Sequence, residues 1–155
     1  MVPQEPETEI RFLIMTREES NHILERMNRE SRGTLMESLG IEFTGIGEHW
    51  LEARMPIDER TMRPGGFLHG GAIMALTETV GSGITYVSVP QEDFHVFGIE
   101  INGNHVRRAQ GNYVTGRAEF IHKGQRTHVV NVSIIDEFGN LASVCRITNV
   151  ILPKS

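Results

Sequence analysis

Gly66-Phe67-Leu68-His69-Gly70-Gly71-Ala72, continuing through Ile73-Met74-Ala75-Leu76-Thr77-Glu78-Thr79-Val80-Gly81-Ser82, is the stretch that decides how this 155-residue chain folds. From Gly70 to Val87 the spacing predicts the longest helix in the sequence. With Ile73 as the zero direction and about 100° per residue, Leu76, Val80, Ile84 and Val87 fall within roughly 60° of it. That apolar stripe is expected to lie on a sheet. The opposite face carries Gly71, Ala75, Glu78, Ser82 and Thr85, small residues around one carboxylate. A face of small residues lets another backbone or a ligand come close.

Working outward, Thr16-Arg17-Glu18-Glu19 has the form of a capping box, and Ile23, Leu24 and Met27 recur at helical spacing, so a helix is expected from Arg17 to Glu30. Leu35, Met36 and Leu39 suggest a helical turn before Gly40. Ile41 to Thr44 and Trp50 to Ile57 read as a strand pair around Gly45-Ile46-Gly47, and Pro56 to Pro64 as a loop. After Pro90 come four strands, near 96–106, 112–122, 125–136 and 141–152. Val130, Val132 and Ile134 alternate with Asn131 and Ser133. The breaks at Gln110-Gly111-Asn112, Lys123-Gly124 and Phe138-Gly139-Asn140 are short enough for antiparallel hairpins. The class is α+β, one antiparallel sheet with a helix packed on it. Residues 1–15 are expected to be a mobile tail and residues 16–155 a single domain.

Composition excludes several functions. With 39% hydrophobic and 23% charged residues a core is within reach and wholesale disorder is not expected. No apolar run is long enough for a membrane-spanning helix, and the acidic, Pro-rich start is unlike a signal peptide. One cysteine, Cys145, excludes an internal disulfide and points to a reducing, cytoplasmic setting; its place in a strand makes it a buried small hydrophobe. The seven histidines show no metal-ligand spacing, His22 and His49 are expected at the surface, and no metal or cofactor is expected. A net charge of −5 argues against nucleic acid, but it divides into −9 over residues 1–100 and +4 over residues 101–155. The cationic second part could hold a small phosphorylated ligand.

The long helix also carries chemistry. His69-Gly70-Gly71 can present free N–H groups at a helix N-terminus, which polarises a carbonyl or holds an oxyanion. Glu78 lies on nearly the same face as Gly71, but about 10 Å further along the axis. A base must lie within about 3 Å of its target. One helix therefore does not serve one carbonyl with both groups, whereas two antiparallel copies do, and a two-fold dimer with two shared sites is expected.

The segments from Gly66 to Ala72 and from Leu76 to Ser82 resemble the active-site stretch of hotdog-fold acyl-CoA thioesterases, in particular the branch acting on aromatic acyl-CoAs such as 1,4-dihydroxy-2-naphthoyl-CoA and 4-hydroxybenzoyl-CoA. Pro56 to Thr61, Gly98 to Arg107 and His122 to Arg126 match as well, so the likeness spans about Arg17 to Leu152. It implies a sheet wrapped around the central helix and a dimer, commonly a dimer of dimers. It also implies thioester hydrolysis, with Glu78 as nucleophile or general base, a carbonyl-polarising N–H from Gly70 or Gly71, and His69 shaping the site. Thr79 and Ser82 fall near the acyl group and the attacking water, and Gly98 and His105 lie in a matched segment. One departure stands out: the branch usually has Gln where this chain has Arg63, and Arg adds a charge that would favour an acidic or hydroxylated acyl group. Coenzyme A, as part of the substrate, would find its phosphates met by Arg107, Arg108, His122, Lys123, Gly124 and Arg126. The strand between Arg107-Arg108 and Lys123-Arg126 keeps these two clusters about 30 Å apart, so they would meet one ligand only across a dimer. A hotdog dehydratase or hydratase would need a His–carboxylate pair that the helix does not show. A non-catalytic acyl-CoA-binding or regulatory domain would have no need of Glu78 beside His69-Gly70-Gly71.

Overall fold

The computed structural model describes residues 15–155, so the expected N-terminal tail lies outside the described residues apart from Met15. Helix α1 (Arg17–Glu30) starts on the capping box: Thr16 Oγ1 accepts from the Glu19 N–H at 3.2 Å, and the Glu19 carboxylate accepts from the Thr16 N–H at 2.7 Å. Two donors that a helix start leaves open are thereby satisfied. The short α2 (Leu35–Leu39) ends on Gly40 at φ 68°, a left-handed turn that glycine enters without a Cβ penalty. Asn28 then ties α1 to β1 (Glu42–Ile46) by bonding both backbone groups of Phe43, at 2.8 and 2.9 Å.

Strand β1 pairs with β2 (Trp50–Pro56), but the turn lies beyond the expected Gly45-Ile46-Gly47. Gly45 and Ile46 still pair with Glu52 and Leu51, and Gly47 donates to Trp50 O. The Trp50 ring lies over Gly45 and Gly47, where a Cβ would collide with it, so these glycines serve ring packing as well as turning. The expected loop after Pro56 contains a two-residue strand, β3 (Met62–Arg63), which pairs with β4 (Phe67–Leu68) and sets Arg63 opposite Phe67. It leads into α3 (Gly70–Val87), whose bounds match the expectation.

The remaining strands are β5 (Phe94–His105), β6 (Tyr113–Lys123), β7 (Thr127–Asp136) and β8 (Leu141–Pro153). The main sheet is antiparallel in the order β1-β2-β6-β7-β8-β5. This corrects one expectation: the break at Gln110-Gly111-Asn112 is not a hairpin. β5 pairs with β8, and β6 with β2 and β7. The connection after His105 instead crosses the ends of β7 and β8, held by Val106 and Arg107 N–H groups on Ala142 O and by the Gln110 N–H on the Asp136 carboxylate. Burial pushes the Asp136 carboxyl up, but hydrogen bonds from Asn140, Gln110 and Phe138 outweigh it and hold the group below its ordinary range. A turn length limits which strands may pair; it does not choose among them.

Helix α3 lies against the sheet through the expected stripe. Leu76 and Val80 are fully buried, Ile73 and Ile84 nearly so, and Val87 packs at the core's margin. Each such side chain contributes roughly 1.5–3 kcal/mol by leaving water. At Gly81 the helix comes so near β8 that a Cβ would collide with Ile147. Thr85 departs from the expected outer face and is fully buried. It sits at the stripe's border, and its hydroxyl meets Asn149 at 2.9 Å and His128 at 3.3 Å, so its burial leaves no polar atom unmatched.

Candidate active site on the central helix

The N-terminus of α3 is capped by His69. Its Nδ1 accepts the Gly71 N–H at 2.7 Å, and its carbonyl accepts from Ala72 and Ile73. Of the two glycines expected to offer the carbonyl-polarising N–H, Gly70 or Gly71, the second has its donor engaged, because a capping side chain takes a donor that the helix leaves open. The Gly70 N–H has no hydrogen-bond partner among the described residues. The His105 ring lies on Gly70, where a Cβ would stand 2.9 Å from Nε2, and His105 Nδ1 is 2.9 Å from the buried Ser143 hydroxyl. β5 and β8 therefore bring His105 to the helix start.

Around this end lies a cavity of about 460 Å³ lined by Arg63, Phe67, Gly70, His105, Arg107 and Arg108 among others, with no acidic side chain in its wall. The Arg108 guanidinium stands 4.0 Å from the centre of the Phe67 ring, and that of Arg63 4.8 Å from it. Arg63 also donates to Pro64 O at 3.1 Å, and Arg107 to Asn140 Oδ1 at 3.1 Å.

Two turns along α3, the Glu78 carboxylate lies over Gly98 of β5. A Cβ on Gly98 would stand 2.5 Å from Oε1, so the carboxylate occupies space that only glycine leaves open. The hydroxyl of Ser82, one turn on, lies 2.8 Å from Oε1. No cation pairs with Glu78 among the described residues. Glu78, Thr79 and Ser82 form one wall of a second cavity, of about 390 Å³, closed by Met27, Leu35, Met36, Phe43 and Val96 among others. The Thr79 hydroxyl is engaged by its own helix, donating to Ala75 O at 2.8 Å.

Behind Glu78 runs a set of buried polar side chains that the sequence reading passed over. Asn149 is wholly buried on β8 and touches Ser82, Gly81 and Thr85, and Thr85 in turn meets His128 of β7. Burial, aided by the nearby Lys123 charge, pushes the His128 pKa down to about 4, against a hydrogen bond to the Gly124 backbone. The ring is therefore neutral well above that value, near pH 7 included. The available signal was one polar residue among the inward apolar ones of each strand: Ile147, Asn149 and Ile151 share one face of β8, and His128, Val130 and Val132 one face of β7.

The cationic residues expected at the coenzyme A phosphates fall into the two groups that strand length predicts. Arg107 and Arg108 stand at the N-terminal end of α3. His122, Lys123, Gly124 and Arg126 form the β6–β7 turn at the far end of a strand about 35 Å long. His122 lies against Gly124, and Lys123 stands 5.2 Å from the Phe120 ring centre. Arg117 is occupied structurally: it stacks on Trp50 and pairs with Glu52 and Glu119. His22 and His49 are exposed, and Cys145 is buried, which pushes its thiol pKa up. Among the described residues no three His, Cys, Asp or Glu side chains gather as they would around a metal ion, and no helix is long and apolar enough to cross a membrane.

A sheet packed on one long helix, with a carboxylate and a glycine-rich helix start on that helix, defines the class: the chain belongs to the thioesterase superfamily, which residues 65–143 match. It is a hotdog-fold enzyme of thioester hydrolysis. It is 43% identical over 129 residues to the 1,4-dihydroxy-2-naphthoyl-CoA hydrolase of Escherichia coli, covering 83% of this chain and 94% of that one. It is 40% identical over 129 residues to the proofreading thioesterase EntH of Cronobacter turicensis, covering 83% and 93%. Among solved structures, a thioesterase of Haemophilus influenzae superposes with a TM-score of 0.81 at 39% identity, over 84% of this chain and 90% of that one.

Proposed function

We propose that this enzyme hydrolyses acyl-CoA thioesters to the free acid and coenzyme A, with an aromatic or medium-length acyl group, and that Glu78 is the reacting carboxylate. The observation that carries this reading is the setting of Glu78: a carboxylate on a cavity wall, over a glycine, with one hydroxyl beside it and no cation to neutralise it. In the proposed reaction the α3 N-terminus of one copy polarises the thioester carbonyl through the Gly70 N–H. Glu78 of a second copy either draws a proton from water as that water attacks, or attacks the carbonyl carbon itself, and the CoA thiolate leaves.

The dimer rests on the same axial separation and on β5. That strand is a sheet edge with Phe97 at 52% and Ile99 at 61% exposure, apolar side chains that a second copy would cover. A further pairing of dimers would give a tetramer. The β6–β7 turn, with His122, Lys123, Gly124 and Arg126, is the proposed grip for the CoA phosphates, and the buried Cys145 thiol suits a reducing, cytoplasmic setting. No further cofactor enters the scheme.

Thiol release from a panel of acyl-CoAs, wild type against Glu78→Ala, tests the reading. Release by the wild type and its collapse in the variant supports it. Full activity of Glu78→Ala refutes the mechanism, and tight binding with no release by either protein makes this a binding domain. A single turnover in ¹⁸O water separates the two roles of Glu78, because covalent attack leaves label in its carboxylate.

The cavity at the α3 N-terminus, whose charged side chains are all cations, favours a second, finer reading. Arg63 presents charge to whatever enters there, so acyl groups bearing a carboxylate or an acidic hydroxyl are the proposed preference, with Arg107 and Arg108 beside it proposed for the coenzyme A phosphates.

A further inference from the structure

Asn149 has no freedom in the direction its amide points. Its Nδ2 donates to Gly81 O at 3.0 Å and to Thr85 Oγ1 at 2.9 Å, which uses both protons. Gly81 O only accepts, so turning the amide round would set two oxygens against each other. Oδ1 therefore faces Ser82 Oγ, 3.1 Å away. Ser82 Oγ also lies 2.8 Å from Glu78 Oε1, and a hydroxyl has one proton for these two acceptors.

We infer that Asn149 is a positioning residue, holding an alternative acceptor for the Ser82 hydroxyl so that its proton turns from Glu78 to Asn149 when the Glu78 carboxylate loses its charge. The inference rests on the reading of Glu78 as the reacting group. While Glu78 is ionised, its oxygen is the stronger, charge-assisted acceptor, and Ser82 donates to it. Asn149 Oδ1, wholly buried, is then left without its donor, which is costly in the interior. When Glu78 takes a proton from the attacking water, a water O–H bond breaks, an O–H bond forms on the carboxyl, and the electron pair released on the water oxygen forms the bond to the carbonyl carbon. Ser82 breaks no bond. Its O–H rotates to Asn149 Oδ1, and the buried amide regains its donor. Covalent attack by Glu78 discharges the carboxylate as well and frees the hydroxyl in the same way.

The far end of the network keeps the amide in place. Thr85 accepts from Asn149, and the neutral His128 ring, tied to the Gly124 backbone, stands behind Thr85. The titratable groups facing this region are Glu30 of α1 and Tyr86 of α3, which line the same cavity, and His128 of β7; β5 contributes Gly98 and β8 contributes Asn149, neither of them charged.

The test combines kinetics on benzoyl-CoA with the side-chain amide resonance of Asn149. In Asn149→Leu, kcat is expected to fall about tenfold with KM within about twofold, and the same substitution in a Ser82→Ala background to change kcat by less than about twofold. The Asn149 amide resonance is expected to move with pH in the wild type and to lose that titration in both Ser82→Ala and Glu78→Gln. Equal kcat losses with and without Ser82, or a resonance that stays fixed in the wild type, overturns the inference. Should Asn149→Leu fail to fold, the resonance in the wild type and the other two variants decides alone. If Glu78→Gln retains full thioesterase activity, the assignment of Glu78 as reacting group fails, while the amide titration still shows whether the hydroxyl switches.

Discussion

The two cavities beside α3 are similar in size and opposite in chemistry. The one at the helix start, about 460 Å³, is walled by three arginines and a histidine around the Phe67 ring. The one midway along, about 390 Å³, is walled by Met27, Leu35, Met36 and Phe43, with two carboxylates, Glu30 and Glu78, and no cation. The helix itself arranges this division. Its N-terminus gathers partial positive charge and attracts anions, whereas its middle offers neither free donors nor a dipole end. Glu78 sits there with no ion-pair partner among the described residues, while the three arginines line the other cavity.

The strongest way to break the comparison is to empty the carboxylate side. Glu78→Ala is expected to lower kcat on acyl-CoA by about a thousandfold while thermal melting stays near that of the wild type. Gly98→Ala leaves the carboxylate but displaces it from its seat over β5, with an expected loss in kcat of about a hundredfold; steady-state kinetics at the wild type's level would show that the seat does not matter.

A third measurement concerns the network joining the Glu78 side to the sheet. His128 has a folded pKa of about 4 against an ordinary 6.5, so the unfolded chain binds more protons between these values. Stability is therefore expected to fall as pH drops from about 6.5 to 4, by up to about 3 kcal/mol, and not to depend on this group above or below that window. Denaturant unfolding across the window checks this, and His128→Gln, which keeps a polar side chain but does not titrate, is expected to flatten the dependence. The smallest expected effect sharpens the cationic side: Arg63→Gln is expected to reduce the kcat/KM ratio of carboxylated over neutral acyl-CoAs by about tenfold. An unchanged ratio would mean that Arg63 does not read the acyl group.

The helices were legible because their signals are local. A capping box, an apolar stripe and a terminal glycine place α1, α2 and α3 with no knowledge of the rest of the chain. Gly98 was legible only as part of a matched segment, and its physical role appeared when β5 met Glu78. Asn149 and His128 passed unnoticed because the sequence shows the alternation of a strand but not which polar residues will meet behind it. The sequence left the polarising N–H at Gly70 or Gly71; the structure engages that of Gly71 for a local reason, since His69 is the cap.

What the sequence determined by itself was the period of each element, the residues each must bury, and the presence of a carboxylate two helical turns from a glycine-rich helix start. What only the tertiary structure decided was pairing across distance. It set β5 against β8 instead of β6, laid the Glu78 carboxylate on Gly98, and closed a chain of hydrogen bonds from Ser82 through Asn149 and Thr85 to His128. The physical reason is range. Helix and strand periods follow from steric and hydrogen-bonding rules among neighbours in the chain, whereas burial of a polar group is tolerated only when a distant segment supplies its partner.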